Sequence, residues 1–113
     1  MTYATEADME ALLGFAIDAT GNTRPTTAQL AVMLSQADYI INAEARVTTN
    51  LTDTSGNLKR IACALVYKMI INMYALSDPD QYGMSEIELT DDQKRIIHIE
   101  HGVWDSLTWD VGG

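Results

Sequence analysis

The sequence is poor in the residues that characterise disulfide-bonded proteins and nucleic-acid-binding proteins. It has one cysteine, Cys63, which excludes an intramolecular disulfide. Seven Lys and Arg stand against 16 Asp and Glu, and the formal net charge is -9. Because binding to phosphates requires a basic patch, this composition disfavours tight binding to DNA or RNA. The acidic surface would instead let nucleic acid pass without sticking, or would simply aid solubility.

Signals for secretion and for membrane insertion are also missing. The first 14 residues contain neither the basic region nor the apolar region of a signal peptide. The most apolar stretch is interrupted by Lys68 and Asn72, and a lysine at the centre of a membrane helix costs about 2.5 to 3.5 kcal/mol. We therefore expect a soluble protein that is made in the cytoplasm and has no membrane span.

The dominant feature that is present is a long apolar segment, from Ser55 to Leu76. From Ile61 onward nearly every residue is apolar, so a helix here is hydrophobic almost all the way round. Such a helix is predicted to lie at the centre of the domain, with Cys63 as a small buried residue. A chain of 113 residues forms one domain, which buries about two thirds of its unfolded surface.

Three further helices are predicted from capping patterns, in which a threonine is followed three residues later by Asp or Gln. The first helix begins at Thr5 and ends before Gly14, the second begins at Thr26, and the fourth runs from Thr90 to about Glu100. Between the first two helices, Phe15 and Ile17 are expected to pack against the core. Asp53, Thr54 and Ser55 are the candidate caps of the apolar helix.

The second helix has more apolar surface than one neighbour requires. Leu30, Leu34, Ala37 and Ile41 form a stripe that is predicted to pack on the apolar helix. Val32 and Tyr39 fall on another side. They are either ordinary exposed apolar residues or part of a contact between subunits.

The last 12 residues, 102–113, are rich in apolar residues for a chain terminus. Their large apolar residues are Trp104, Leu107, Trp109 and Val111. No helical or strand periodicity organises them. Because tryptophan both covers small cores and anchors interfaces, this tail is expected either to fold back on its own domain or to dock on another chain.

Motifs for catalysis or for cofactor binding are not found. His98 and His101 share a helix face and would support a metal-dependent hydrolase, but zinc sites usually add Cys or a third His. The segment beginning at Asp18 resembles a calcium loop but has Thr23 where glycine is required and Gln29 where glutamate is required. We therefore expect no enzymatic activity, no cofactor and no metal.

The order of helices resembles a known family. The relevant residues are Tyr3-Ala4-Thr5, Asp8 to Gly14, Ala37 to Ile41 and Ala64-Leu65-Val66. In this arrangement, residues 3–76 resemble the small head-tail connector proteins of tailed bacteriophages, which are also called adaptor or head-completion proteins.

The predicted helices together indicate an all-α fold, a small bundle of about four helices with a long central antiparallel pair in residues 1–101 and an extended C-terminal tail in residues 102–113. The resemblance implies that this helical chain is a virion protein. Members of the family form a ring beneath the portal, extend the DNA channel and dock the tail or stopper. The resemblance therefore implies a homo-oligomer at the head-tail junction, DNA that passes through without specific binding, and a docking arm in the tail. It also places Val32 and Tyr39 near a subunit contact.

A second hypothesis remains open from the residues alone. The chain would then be a small acidic regulator that binds a single partner protein through its C-terminal tail. Its acidic residues are scattered along the sequence, which argues against a DNA mimic because a mimic needs one continuous acidic face. The number of copies in the complex distinguishes a regulator from a connector.

Overall fold

The computed structural model describes residues 2–18, 20, 25–75 and 87–101, and the described part of the chain is an all-α bundle. This confirms the predicted fold class of about four helices. The predicted tail, residues 102–113, lies outside the described residues. The helices are α1 Glu6–Leu13, α2 Thr27–Ala45, α3 Asn57–Ala75 and α4 Asp91–His101.

Three of the four helices begin where the capping patterns predict. In each, the threonine hydroxyl accepts a hydrogen bond from the backbone N–H three residues later, and the side chain at that position accepts one from the threonine N–H. These bonds satisfy backbone donors that a helix start leaves unpaired. The pairs are Thr5 with Asp8, Thr26 with Gln29, and Thr90 with Gln93.

The start of α3 is capped mainly by Asp53, one of the three predicted candidates. Its Oδ1 accepts hydrogen bonds from the N–H groups of Gly56 and Leu58, both at 3.1 Å, and its Oδ2 accepts one from Lys59 at 2.9 Å. Ser55 Oγ accepts a further bond from the N–H of Asn57 at 3.1 Å. A carboxylate is favourable here because the N-terminal end of a helix carries partial positive charge.

The end of α2 was not signalled by a glycine. α1 ends at Gly14 in the left-handed conformation, with φ 85°, as predicted. α2 ends at Arg46 in the same conformation, with φ 60°. The N–H of Val47 then donates to the carbonyl of Asn42 at 3.0 Å, which closes the helix end.

The core lies between α2 and α3, which form the long central pair, and both α1 and α4 pack against this pair. The predicted α2 stripe is buried, together with Met33. α1 contributes Met9 and α4 contributes Ile97, each with no exposed surface. The α3 residues that complete the core recur at helical spacing: Leu58, Ile61, Ala62, Leu65, Val66, Met69, Ile70 and Met73.

Tyr3 ties the N-terminal segment to α2 and to the loop that follows it. Its hydroxyl donates to Asn42 Oδ1 and accepts from the N–H of Leu51, both at 2.7 Å. Its backbone N–H donates to Asp38 Oδ1 at 3.0 Å. Tyr3 also shares a cleft with Lys59 in the first turn of α3. The end of α2 therefore lies near the start of α3, as an antiparallel pair requires.

One packing prediction between α1 and α2 is correct and one is wrong. Ile17 is buried, and its N–H donates to Glu10 Oε2 at 2.7 Å. Phe15, which was expected to pack against the core, is exposed. Gly14 ends α1 in the left-handed conformation immediately before Phe15, and the hydrogen bond to Glu10 places Ile17, two residues further on, in the core.

Candidate functional site

The structure places two of the six predicted interface residues on an exposed helix surface. Val32 is 43% exposed and Tyr39 is 68% exposed. Both lie on the side of α2 that is opposite its buried stripe. The other four, Trp104, Leu107, Trp109 and Val111, lie outside the described residues. No described contact tests the role of any of the six.

We call the outward surface of α2 the α2 face. Tyr39 is a large aromatic side chain that is mostly in water, which is unusual because burial of a tyrosine is favourable. The surrounding exposed residues are small, so a partner could approach the helix closely. The α2 face consists of Val32, Ser35, Tyr39 and Ala43.

A second apolar surface lies on α3 and was not predicted. Tyr67, Ile71 and Tyr74 are 43%, 48% and 56% exposed, and Ala64 is exposed as well. These four residues are three or four positions apart, so they form one stripe along the helix. We call this stripe the α3 face.

The α3 face corrects the prediction that α3 is surrounded on all sides. The helix is apolar almost all round, but α1, α2 and α4 do not cover this face among the described residues. The sequence did contain a signal, because Arg60 and Lys68 lie on the same side of the helix and both are exposed. Charged residues on one side of an apolar helix indicate the side that meets solvent.

A groove between α1 and α3 adjoins the α3 face. Its volume is about 620 Å³, and its lining is mainly apolar. Two cations, Lys59 and Arg60, lie at its edge. We call it the α1–α3 groove, and it is lined by Asp8, Ala11, Leu12, Lys59, Arg60, Cys63, Ala64 and Tyr67.

Cys63 is only partly buried, although the sequence predicted a buried residue. It lines the groove, which brings its thiol close to the surface. Burial raises the pKa of this thiol above its ordinary value, and the charge of Asp8 raises it further, while Lys59 acts in the opposite direction. The raised pKa keeps the thiol protonated and weakly nucleophilic at neutral pH.

Asp8 and Lys59, which both line the groove, join α1 to α3. Their charged atoms are 3.5 Å apart, and both side chains remain partly exposed. Partial burial raises the pKa of Asp8, but the hydrogen bonds from Thr5 and the charge of Lys59 outweigh it, so the pKa lies below the usual value. Asp8 is therefore ionised at neutral pH.

The two histidines of α4 do not form a metal site with other described residues. No group of three His, Cys, Asp or Glu side chains suited to a metal ion occurs in residues 2–18, 20, 25–75 and 87–101. His98 is partly buried, and its Nε2 lies 2.6 Å from Glu44 Oε2. This contact fastens α4 to α2 and gives His98 a structural role.

The residues on which the predicted resemblance to connector proteins rests are divided between the core and the surface. Ala4, Met9, Ala37 and Ile41 have no exposed surface, and Leu65 has almost none. Leu12, Tyr39 and Ala64 are exposed. These three residues belong to the α1–α3 groove, the α2 face and the α3 face, respectively.

These three surfaces carry aliphatic residues together with tyrosines, which are enriched at protein interfaces. None of the described helices combines the length and the hydrophobicity needed to cross a membrane. Comparison of the chain with models of protein families, with curated proteins and with solved structures found no match.

Proposed function

We propose that this protein is a structural virion protein of a tailed bacteriophage, a head-tail connector that forms a ring beneath the portal. The observation that carries the proposal is the presence of two separate exposed apolar faces on one small bundle. The resemblance of residues 3–76 to connector proteins supplies the identity of the assembly. The proposal includes no enzymatic activity and no cofactor.

The two faces point in different directions. α2 and α3 pack against each other, and each exposed face lies opposite the buried side of its own helix. A subunit with two different, outward-pointing patches can bind the α3 face of one neighbour through its own α2 face. Repetition of such a heterologous contact produces a ring if the rotation closes.

The exposed tyrosines make these faces suitable for subunit contacts. Tyr39 dominates the α2 face, and Tyr67 and Tyr74 flank Ile71 on the α3 face. Large apolar patches on a soluble chain mark interaction sites. Tyrosine adds a hydroxyl that can be hydrated in the free subunit and bonded in the assembly.

The acidic charge supports a position next to DNA without binding of the DNA. With a net charge of -9, a ring of many copies would repel the phosphates of DNA in its channel. In the proposed assembly, DNA passes through the lumen without specific binding. Residues 102–113 serve as the arm that reaches the portal, the tail or the stopper, and the protein is made in the host cytoplasm before it joins the virion.

The proposal is tested by native mass spectrometry of the full-length protein across a range of concentrations, with and without a candidate portal ring. We expect a closed oligomer of many copies, either alone or on the portal. Tyr39→Lys should abolish this oligomer. The control is Thr48→Lys, which introduces the same charge at an exposed residue of the loop after α2 and should leave the oligomer intact.

A monomer or a dimer that ignores the portal would contradict the connector proposal. A complex with one copy of a single partner would instead support the acidic regulator.

A further inference from the structure

The α1–α3 groove combines an apolar lining with positive charge at its edge. Arg60 forms no ion pair with another described residue, and Lys59 reaches Asp8 at 3.5 Å while remaining half exposed. The groove thus suits a segment that presents large apolar side chains together with carboxylates. In a chain with only seven Lys and Arg, two adjacent cations at an apolar groove are a distinctive feature.

The described part of the chain ends close to this groove. Glu100 Oε1 accepts hydrogen bonds from Ser55 Oγ at 2.5 Å and from Asn57 Nδ2 at 2.7 Å. These bonds hold the end of α4 against the beginning of α3. Lys59 and Arg60 follow Asn57 within one helical turn, so the chain leaves α4 beside the end of the groove where its cations lie.

The remaining segment is long enough to lie along the groove. Twelve residues follow His101, and an extended chain covers about 3.3 Å per residue, or about 40 Å in total. Lys59 and Tyr67 are about 12 Å apart along α3 at a rise of 1.5 Å per residue. The segment can therefore cross to the groove and run its full length within the same molecule.

The composition of residues 102–113 matches the groove. The segment carries the only two tryptophans of the chain, Trp104 and Trp109, together with Leu107 and Val111. It also carries Asp105 and Asp110 and contains no Lys or Arg. Apolar side chains would cover Leu12, Ala64 and Tyr67, and the carboxylates would lie near Arg60 and Lys59.

We propose that, in the unassembled chain, residues 102–113 bind in the α1–α3 groove of the same molecule. Binding within one molecule is favoured over binding to another copy, because a short connection gives an effective concentration in the millimolar range. The bound segment would cover Ala64 and Tyr67, which belong to the α3 face. It would have to leave before a neighbouring subunit could use that part of the face.

The two tryptophans allow a direct test in the full-length protein. Since both lie in residues 102–113, selectively excited tryptophan fluorescence reports on this segment alone. At concentrations where native mass spectrometry shows only monomer, we expect blue-shifted emission that does not change on dilution. Leu12→Ser and Arg60→Glu should each shift the emission to longer wavelength, towards that of tryptophan in water.

Matched variants on other surfaces serve as controls. Val32→Ser removes an exposed aliphatic side chain from α2, and Lys94→Glu makes the same change in charge as Arg60→Glu. Both should leave the emission unchanged, and circular dichroism should show equal helix content in all four variants. Water-like emission in the wild type, or equal effects of groove and control variants, would overturn the proposal.

The effect of dilution on tryptophan emission distinguishes residues 102–113 of the same molecule from those of a second copy. If the blue shift is sensitive to Leu12→Ser but disappears on dilution, the groove binds the segment of a second copy, and the intramolecular proposal is wrong. None of these readouts requires a ring or a portal. Failure of this inference is therefore distinguishable from failure of the proposed connector function.

Cys63 gives a second readout from the groove side. It is the only cysteine in the chain, and it lines the groove. Replacing both Trp104 and Trp109 with serine should increase the rate at which a thiol reagent modifies Cys63 several-fold in the full-length monomer. An unchanged rate would show that the segment does not cover the groove.

Discussion

Tyr3 is the residue at which distant parts of the chain are joined. Its side chain bonds to Asn42 in α2 and to the backbone of Leu51 in the following loop. The network continues from Asn42 to Asn50 and from Asn50 to Asp38, which accepts the N–H of Tyr3. The bonds of Tyr3 are partly buried, whereas those of Asn50 are exposed. The Tyr3 bonds are therefore the ones whose loss would leave a costly unpaired group.

Removal of the Tyr3 hydroxyl tests this network. Tyr3→Phe leaves the N–H of Leu51 without its acceptor and Asn42 Oδ1 without its donor. We expect the free energy of unfolding to fall by about 1 to 3 kcal/mol, as measured by urea denaturation. Tyr39→Phe is the control, because Tyr39 is 68% exposed, and its effect in dilute protein should be within about 0.5 kcal/mol. Equal effects would show that the hydroxyl of Tyr3 contributes nothing specific.

Tyr3 also makes stability depend on pH in the alkaline range. Burial raises its pKa above the ordinary value of 10.0, and the charges of Asp38 and Asp53 add to this, while the bond from Leu51 acts in the opposite direction. A phenol whose pKa is raised by folding contributes stability that is complete below pH 10 and is lost as pH rises through the folded-state pKa.

The difference in unfolding free energy between the wild type and Tyr3→Phe should therefore be constant from neutral pH to about pH 9 and should shrink above about pH 10. The measurement is urea denaturation of both proteins over that range. A difference that grows with alkaline pH would contradict the raised pKa.

At the scale of the element, α3 has two sides with different roles. Ile70 is 1% exposed and packs in the core, whereas its neighbour Ile71 lies on the α3 face. The two residues have the same side chain and the same helix propensity. If the same substitution changes the free energy of unfolding by different amounts at the two positions, the difference therefore reflects their tertiary environments. This makes them a matched pair.

Alanine substitutions at Ile70 and Ile71 compare the stability contribution of a buried isoleucine with that of an exposed one. Ile70→Ala should reduce the free energy of unfolding by about 2 to 5 kcal/mol, because it removes buried methyl and methylene groups. Ile71→Ala should change the stability of the monomer by less than about 0.5 kcal/mol. Thermal or chemical denaturation of dilute protein gives both values. A large loss of stability for Ile71→Ala would show that the α3 face is covered within the monomer.

At the scale of the whole molecule, the proposed ring makes a prediction about mixtures. In a heterologous contact, the α2 face of one subunit meets the α3 face of the next. Tyr39→Lys inactivates only the first face, and Ile71→Lys inactivates only the second. Each variant alone should be monomeric in native mass spectrometry.

A mixture of these two variants should form a heterodimer and nothing larger. One intact α2 face and one intact α3 face remain between them, which allows one contact but no closure. The control is a mixture of Tyr39→Lys with a second α2-face variant, Val32→Lys, which should stay monomeric. A mixture that restores a full ring would indicate that the two faces do not bind each other.

The sequence by itself determined the helices and most of the core. Capping pairs such as Thr5 with Asp8 act over three residues, and helical periodicity assigns Leu30, Leu34, Ala37 and Ile41 to one side of α2. These are local properties, so they can be predicted without knowledge of the neighbours. No glycine marks the end of α2, which Arg46 closes in the left-handed conformation.

Only the tertiary structure decided which apolar residues remain in contact with water. The composition of α3 predicts burial on every side, yet whether Ile71 is covered depends on how many helices the chain has to place around it. α1 is short, and it lies against the first turns of α3, which leaves the α1–α3 groove and the α3 face open. Exposure is a property of the packing of the whole bundle. For that reason the predicted burial of Phe15 and Cys63 was wrong. The predicted burial of Leu65 and Val66, at the centre of the bundle, was correct.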